Sequence, residues 1–142
     1  MSRRAVPIAL LALALTACGD ASQAVQPGQW EITHAAGPPN GREVQKSAVT
    51  RCLRSSQEDP SRELVLELIG DRCDQAGVKV AGGRISGALQ CSEFYAFSAH
   101  EEPVSGRYAA DTIDFTVDMP LFGQVLRTHV KARRTGDCDR PS

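Results

Sequence analysis

The sequence predicts an all-β domain with one short helix: an antiparallel meander of about seven or eight strands, curled into a half-barrel or small barrel and framed by disulfides. Three observations carry that expectation. From Asp74 onward apolar residues recur with a period of two. Short turn sequences such as Gly82-Gly83 and Ala110-Asp111 separate the runs. Four cysteines are spread through a small domain that carries an export signal.

The chain opens with a segment outside that domain. Arg3 and Arg4 precede an apolar run from Ala5 to Leu15, and Thr16-Ala17-Cys18-Gly19 follows. A basic start, a short apolar stretch and small residues at the cut describe a secretory signal. The run is shorter than the roughly 20 residues a helix needs to cross a hydrocarbon core of about 30 Å. Leu15-Thr16-Ala17-Cys18 resembles a bacterial lipobox, in which the cysteine thiol is diacylglycerated and its amine is freed by cleavage and acylated. The general signal peptidase wants small residues at the first and third positions before the cut, where Leu15 fits poorly. Residues 1–17 are therefore expected to be a lipoprotein signal peptide and Cys18 the lipidation site. Residues 18–27 form a lipidated polar tether, and 28–142 a single antiparallel β domain.

Removing 17 of the 142 residues leaves 125, which suits one small domain. Two of the 16 basic residues and none of the 17 acidic ones lie in the signal, so the remainder carries a net charge of −3. Such a chain has no global attraction for nucleic acid or an anionic membrane surface. Five cysteines are an odd number, but assigning Cys18 to lipid leaves Cys52, Cys73, Cys91 and Cys138 for two disulfides. No C-x-x-C pair occurs and the gaps are irregular, which disfavours zinc.

Along the domain, Pro27-Gly28 opens a strand on which Trp30, Ile32 and His34 share a face. Gly37-Pro38-Pro39-Asn40-Gly41 is a loop, and a second strand follows from Gln45 to Leu53. Asp59 is a helix N-cap, Pro60 suits the first helical position, and Gly70 closes the helix. Leu64 with Leu68 and Val65 with Ile69 supply its apolar spacing. Strands over Gln75–Ala81 and Arg84–Cys91 flank Gly82-Gly83, with Val80 facing Ile85, Val78 facing Gly87 and Ala76 facing Leu89. An aromatic segment, Glu93–Ala99, precedes strands at Val104–Ala109, Thr112–Met119 and Gln124–Arg134.

Four cysteines allow three connectivities. Cys52–Cys73 would clamp the helical excursion, and Cys91–Cys138 would tie an inner strand to the end of the chain. Cys73–Cys91 is the rival, since both lie near the open end of the Gly82-Gly83 hairpin. A two-residue register points them to opposite faces, so that bond requires a bulge.

In its ordered set of motifs the chain resembles the domain-of-unknown-function family 3617, small secreted or lipoprotein domains of Gram-negative bacteria. The matching pieces are Pro27-Gly28-Gln29-Trp30-Glu31, Arg51-Cys52-Leu53, Asp71-Arg72-Cys73, Val80-Ala81-Gly82-Gly83, Cys91 and Arg133-Arg134-Thr135-Gly136-Asp137-Cys138. They cover nearly all of the chain after the signal. Members usually carry many methionines and prolines after the tryptophan motif; here that loop is short and has no methionine. The resemblance implies an envelope compartment and a cysteine-framed β fold, and names no substrate or catalytic residue.

Other constellations carry residue types suited to chemistry. His100-Glu101-Glu102 has metal-ligating types, but adjacent side chains diverge, so a solvated turn is expected. His34, His100 and His129 lack the spacing that puts two on one helical face. No G-x-S-x-G occurs, and Ser86 falls inside a strand. Arg127, His129, Lys131 and Arg133 alternate along the last strand and would bind an anion or pair with the preceding strand. Pairing Asp114 opposite His129, Thr116 opposite Arg127 and Thr112 opposite Lys131 sets these cations diagonal to aspartates, and this sheet-stabilising reading is preferred. Trp30, Phe94, Tyr95, Phe97, Tyr108, Phe115 and Phe122 are few, and most are needed for the core.

The expected function is a non-catalytic, periplasm-facing lipoprotein module, anchored through Cys18, that binds a small apolar or amphipathic ligand. The alternative is an interaction module docking an envelope protein through an outer sheet face. No enzyme activity, metal, cofactor or nucleic-acid partner is expected. Gly19 after the anchor favours the outer over the inner membrane.

Overall fold

The structure, a computed structural model, describes residues 24–91, 100–121 and 124–139. Its elements are β1 (Gly28–Gly37), β2 (Gln45–Leu53), α1 (Ser61–Ile69), β3 (Val78–Ala81), β4 (Arg84–Cys91), β5 (His100–Ala109), β6 (Thr112–Leu121) and β7 (Gln124–Gly136). All strands join one antiparallel sheet in the order β2-β1-β7-β6-β5-β4-β3. Each strand thus lies beside its sequence neighbour, except at two places. β7 returns to pair with β1, as in an up-and-down barrel, whereas β2 and β3 do not pair. The sheet is an open one, broken where the chain leaves it to form α1.

That helix accounts for the curl. Held flat, seven strands would keep the edges about 29 Å apart, too far for one helix of about 10–12 Å diameter to touch both. Yet α1 packs on β3, and its Glu67 Oε1 accepts a hydrogen bond from Arg51 Nη2 of β2 at 2.8 Å. The sheet therefore wraps into a half-barrel with α1 in the breach, and no small closed barrel forms.

One face of every strand contributes to the resulting interior. Trp30, Ile32, Leu53, Ile85, Leu89, Val104, Ile113, Phe115 and Val130 are buried together with Leu64, Val65 and Leu68 of the helix. Period-two patterning on strands and near-fourfold spacing on the helix meet in this one core. Of the aromatics, Trp30, Tyr108 and Phe115 lie in it; Phe94, Tyr95, Phe97 and Phe122 fall outside the described residues, as does the segment 93–99.

Local signals explain the ends of the elements. Asp59 Oδ1 accepts the Ser61 N–H at 3.0 Å, and hydrogen bonds from the Ser61 hydroxyl first and from this N–H second hold the Asp59 carboxyl below its ordinary pKa. The helix itself starts at Ser61 rather than at Pro60, one residue later than predicted, with the Leu64 N–H donating to Pro60 O. Ser61 Oγ is buried and accepts the Val25 N–H at 3.0 Å, which fastens the entry of β1 to the helix. Gly70, with φ 84°, ends the helix by donating its N–H to Leu66 O. Gly82 and Gly83, at φ 59° and 75°, form the β3–β4 turn with Val80 opposite Ile85 and Val78 opposite Gly87.

The predicted pairing of Ala76 with Leu89 does not occur. The ladder stops at Val78, whose N–H donates to Gln75 O, and resumes at an isolated bridge between Asp74 and Gln90. Three residues separate Asp74 from Val78 while two separate Gly87 from Gln90, so one residue is inserted. Gly87 sits at this irregularity with φ 109°.

Candidate functional site

The Cys73–Cys91 disulfide follows from that inserted residue. Cys73 bonds to Cys91 and Cys52 to Cys138. The favoured pairing, Cys52–Cys73 with Cys91–Cys138, is therefore corrected. Beyond the Asp74–Gln90 bridge, Cys73 stands directly opposite Cys91 with a Cα–Cα distance of 4.5 Å, the spacing of a non-hydrogen-bonded antiparallel pair. Cys52, near the end of β2, meets Cys138 just beyond β7, with Cα atoms 5.5 Å apart. β1 lies between β2 and β7, so this bond spans a strand at the rim of the half-barrel. Cys18 lies outside the described residues.

The solvent face of the sheet carries a polar ladder. β6 and β7 are joined through a register in which Asp118 is opposite Arg127, Thr116 opposite His129, Asp114 opposite Lys131 and Thr112 opposite Arg133. This is a correction by two residues: the predicted partners of Asp114, Thr116 and Thr112 were His129, Arg127 and Lys131. β6 continues through Pro120 to Leu121, opposite Gln124, so the turn is tighter than predicted. A two-residue slip leaves each side chain on its own face, which is why the alternation survives.

Arg127 meets Asp118 directly rather than diagonally, through Nε–Oδ1 and Nη2–Oδ2 bonds of 2.7 and 2.8 Å. Those hydrogen bonds lower the Asp118 pKa and raise that of Arg127. His129 Nε2 lies 2.7 Å from Asp114 Oδ1, on the diagonal, and its Nδ1 lies 4.0 Å from Glu43 Oε1 in the β1–β2 loop. Thr33, Ala35, Glu43, Lys46, His129 and Lys131 line a shallow hollow of about 300 Å³ here. Farther along the same face Arg84 stands opposite Arg107, and Ser105 Oγ lies 3.3 Å from Thr116 Oγ1.

His100-Glu101-Glu102 is no solvated turn but the start of β5. Strand alternation sends Glu101 outward, where its carboxylate accepts a bond from Gln90 Nε2 at 2.6 Å. Glu102 points to the interior and is only 7% exposed, with Oε1 2.6 Å from His100 Nε2. Desolvation raises the Glu102 pKa, against the opposing pull of His100. His100 also stands opposite Cys91, so this His100–Glu102 contact adjoins the Cys73–Cys91 bond. Sequence reasoning missed the burial because a charged triplet reads as polar surface; the signal available was its parity with Val104 and Tyr108.

No group of three or more His, Cys, Asp or Glu side chains among the described residues could hold a metal. No helix among them is long and apolar enough to cross a membrane. A groove of about 680 Å³ beside the Cys52–Cys138 bond is lined by Pro27, Leu53, Arg54, Ser55, Glu63 and Asp137 among others, a mixed surface rather than an apolar chamber. Ser55 donates to Glu63 across its wall.

The second feature that sequence reasoning missed is the β2 edge. Residues 45–51 are all exposed, on both faces of the strand. The opposite edge is four residues long and is covered by α1.

No curated protein and no solved structure matches the chain. The family model described as "Protein of unknown function (DUF3617)" matches residues 25–138, from the buried Val25 to the last disulfide cysteine. The match spans every element of the half-barrel, and the chain belongs to that family.

Proposed function

We propose that this protein is a lipid-anchored envelope lipoprotein, facing the periplasm, whose half-barrel is a non-catalytic module that docks another envelope protein through the outside of its sheet. The observation that carries this reading is the close apolar packing of the core among the described residues. Among the described residues the core face is occupied by Trp30, Ile32, Phe115 and the helix side chains Leu64, Val65 and Leu68. A small apolar ligand needs an apolar chamber of a few hundred Å³, whereas the hollow on the solvent face is lined mainly by charged and polar residues, among them Glu43, Lys46, His129 and Lys131. The lipobox-like Leu15-Thr16-Ala17-Cys18 and two disulfides in a small domain support the anchored, oxidising location.

Native mass spectrometry of the protein purified from its own envelope tests the functional reading. A co-purifying protein is the expected result; a retained small molecule would favour the ligand-binding module instead. Cys18→Ala tests the anchor: it should block processing at this site, and unlipidated mature protein free in the periplasm of wild-type cells would refute lipidation.

A further inference from the structure

The two edges of the sheet differ in a way that stability alone does not require. β3 is short, bounded by the turn at Gln75–Val78, covered by α1 and tied down at Cys73. These are the usual devices for hiding unpaired backbone groups. Among the described residues β2 has none of these over Gln45–Thr50, where Lys46 is the one charged side chain: nine residues long, it is paired on one side only, to β1, and holds no proline. Arg51, just beyond this stretch, reaches the helix through Glu67.

Side chains along this edge are exposed in alternation, Lys46, Ala48 and Thr50 toward the solvent face and Gln45, Ser47 and Val49 toward the core side. Val49 is 44% exposed and stands opposite Ile32, so an apolar spot sits at the lip of the core. The stretch is also basic. Between residues 42 and 54 it carries Arg42, Lys46, Arg51 and Arg54 against Glu43 alone, in a chain of net charge −1. Glu43 is turned toward His129, and Arg51 is engaged by Glu67.

Resting on the docking reading above, we infer that β2 is a strand-addition site for an extended acidic segment of a partner protein, with carboxylates on one parity and apolar side chains on the other. Main-chain bonds to the free edge supply affinity, and the alternate side chains supply specificity. Carboxylates lie beside Lys46 on the solvent face, and an apolar side chain covers Val49. A second copy of this chain is the poorer occupant, because pairing β2 with itself sets a basic stretch against a basic stretch.

The test uses the full exported chain and two synthetic nine-residue peptides, one alternating glutamate with valine and one alternating lysine with valine. Hydrogen exchange followed by mass spectrometry reads protection over residues 45–51. At ten times its Kd the acidic peptide should slow exchange there about tenfold, as mass action requires, and the lysine peptide should not. Alternate N–H groups of an antiparallel edge point away from the sheet. One of Ala48→Pro and Val49→Pro therefore removes only an outward donor, keeps the thermal midpoint and should abolish the protection.

Lys46→Glu should weaken the acidic peptide and admit the lysine one. Protection by both peptides or by neither would overturn the inference. So would concentration-dependent self-association that protects 45–51 without peptide. Protection confined to β5–β7 would overturn the edge site while leaving docking through the sheet intact. Absence of any co-purifying protein in native mass spectrometry is the separate failure of the docking reading.

Discussion

Cys73 and Cys91 face each other across the β3–β4 hairpin because one residue is inserted between Asp74 and Val78. Without it, the hairpin register would place Asp74 outside the ladder position it holds opposite Gln90. The chain thus reconciles a two-glycine turn with a disulfide that the uninterrupted register would misalign.

The connectivity is directly measurable. Non-reducing peptide mapping should return Cys52–Cys138 and Cys73–Cys91, and two free thiols in the purified, unreduced protein would contradict the framework. The sequence separations are 86 and 18 residues. Chain-entropy scaling therefore gives a loss of roughly 4.5 kcal/mol on removing the first bond and roughly 3 kcal/mol on removing the second. Urea unfolding of the paired alanine variants should preserve that order.

Gly87 should be intolerant of a side chain. Its φ of 109° is rare for other residues, and a Cβ there would lie 2.1 Å from the Gly77 carbonyl oxygen. Gly87→Ala should cost about 1–3 kcal/mol in unfolding free energy. An unchanged midpoint would mean that the inserted residue relaxes without cost.

The two faces of the β6–β7 pair should respond in opposite fashion. Phe115 and Val130 are opposite each other and almost fully buried. Phe115→Ala should cost about 3–5 kcal/mol, and Val130→Ala less. Arg127→Gln and Asp118→Asn, on the solvent side, should scarcely move the urea midpoint, singly or together, because exposed ion pairs are screened by water and salt. A large coupling between them would show that this ladder is structurally important.

Glu102 and Asp118 should produce opposite pH dependences in different windows. The Asp118 pKa is depressed below 3.8, chiefly by its hydrogen bond from Arg127. Its contribution is therefore complete above pH 3.8 and is lost as the pH falls through the folded value. The Glu102 pKa is raised above 4.5, chiefly by desolvation. The fold then favours its protonated form, so its contribution declines as the pH rises from 4.5 through the folded value. Unfolding of Glu102→Gln between pH 4.5 and 7 should lack that decline, and an identical pH slope in both proteins would refute the assignment.

Ser61→Ala should cost about 1–3 kcal/mol, since it leaves the buried Val25 N–H without its acceptor. Ser61→Thr retains a hydroxyl and should recover part of that loss unless the added methyl overfills the site. Thermal unfolding of the two variants separates the hydrogen bond from the packing.

The sequence by itself determined the elements and the faces of this protein. Period-two runs, the Gly82-Gly83 turn and the Asp59…Gly70 helix signals are local, and they suffice to set Val80 against Ile85 and Phe115 inward. Tertiary structure decided what local chemistry leaves degenerate. Slipping β7 by two residues against β6 keeps every side chain on its face, so alternation alone cannot distinguish Arg127 opposite Asp118 from Arg127 opposite Thr116. The Cys52–Cys138 bond depends on β7 returning beside β1, a pairing between chain ends that no adjacent pattern records. Glu102 is buried because the ladder parity of β5 outranks the polarity of one residue, with His100 alongside to offset part of the desolvation. The bare edge of β2 likewise exists only once the order of all seven strands is settled, since a strand does not itself specify which of its sides goes unpaired.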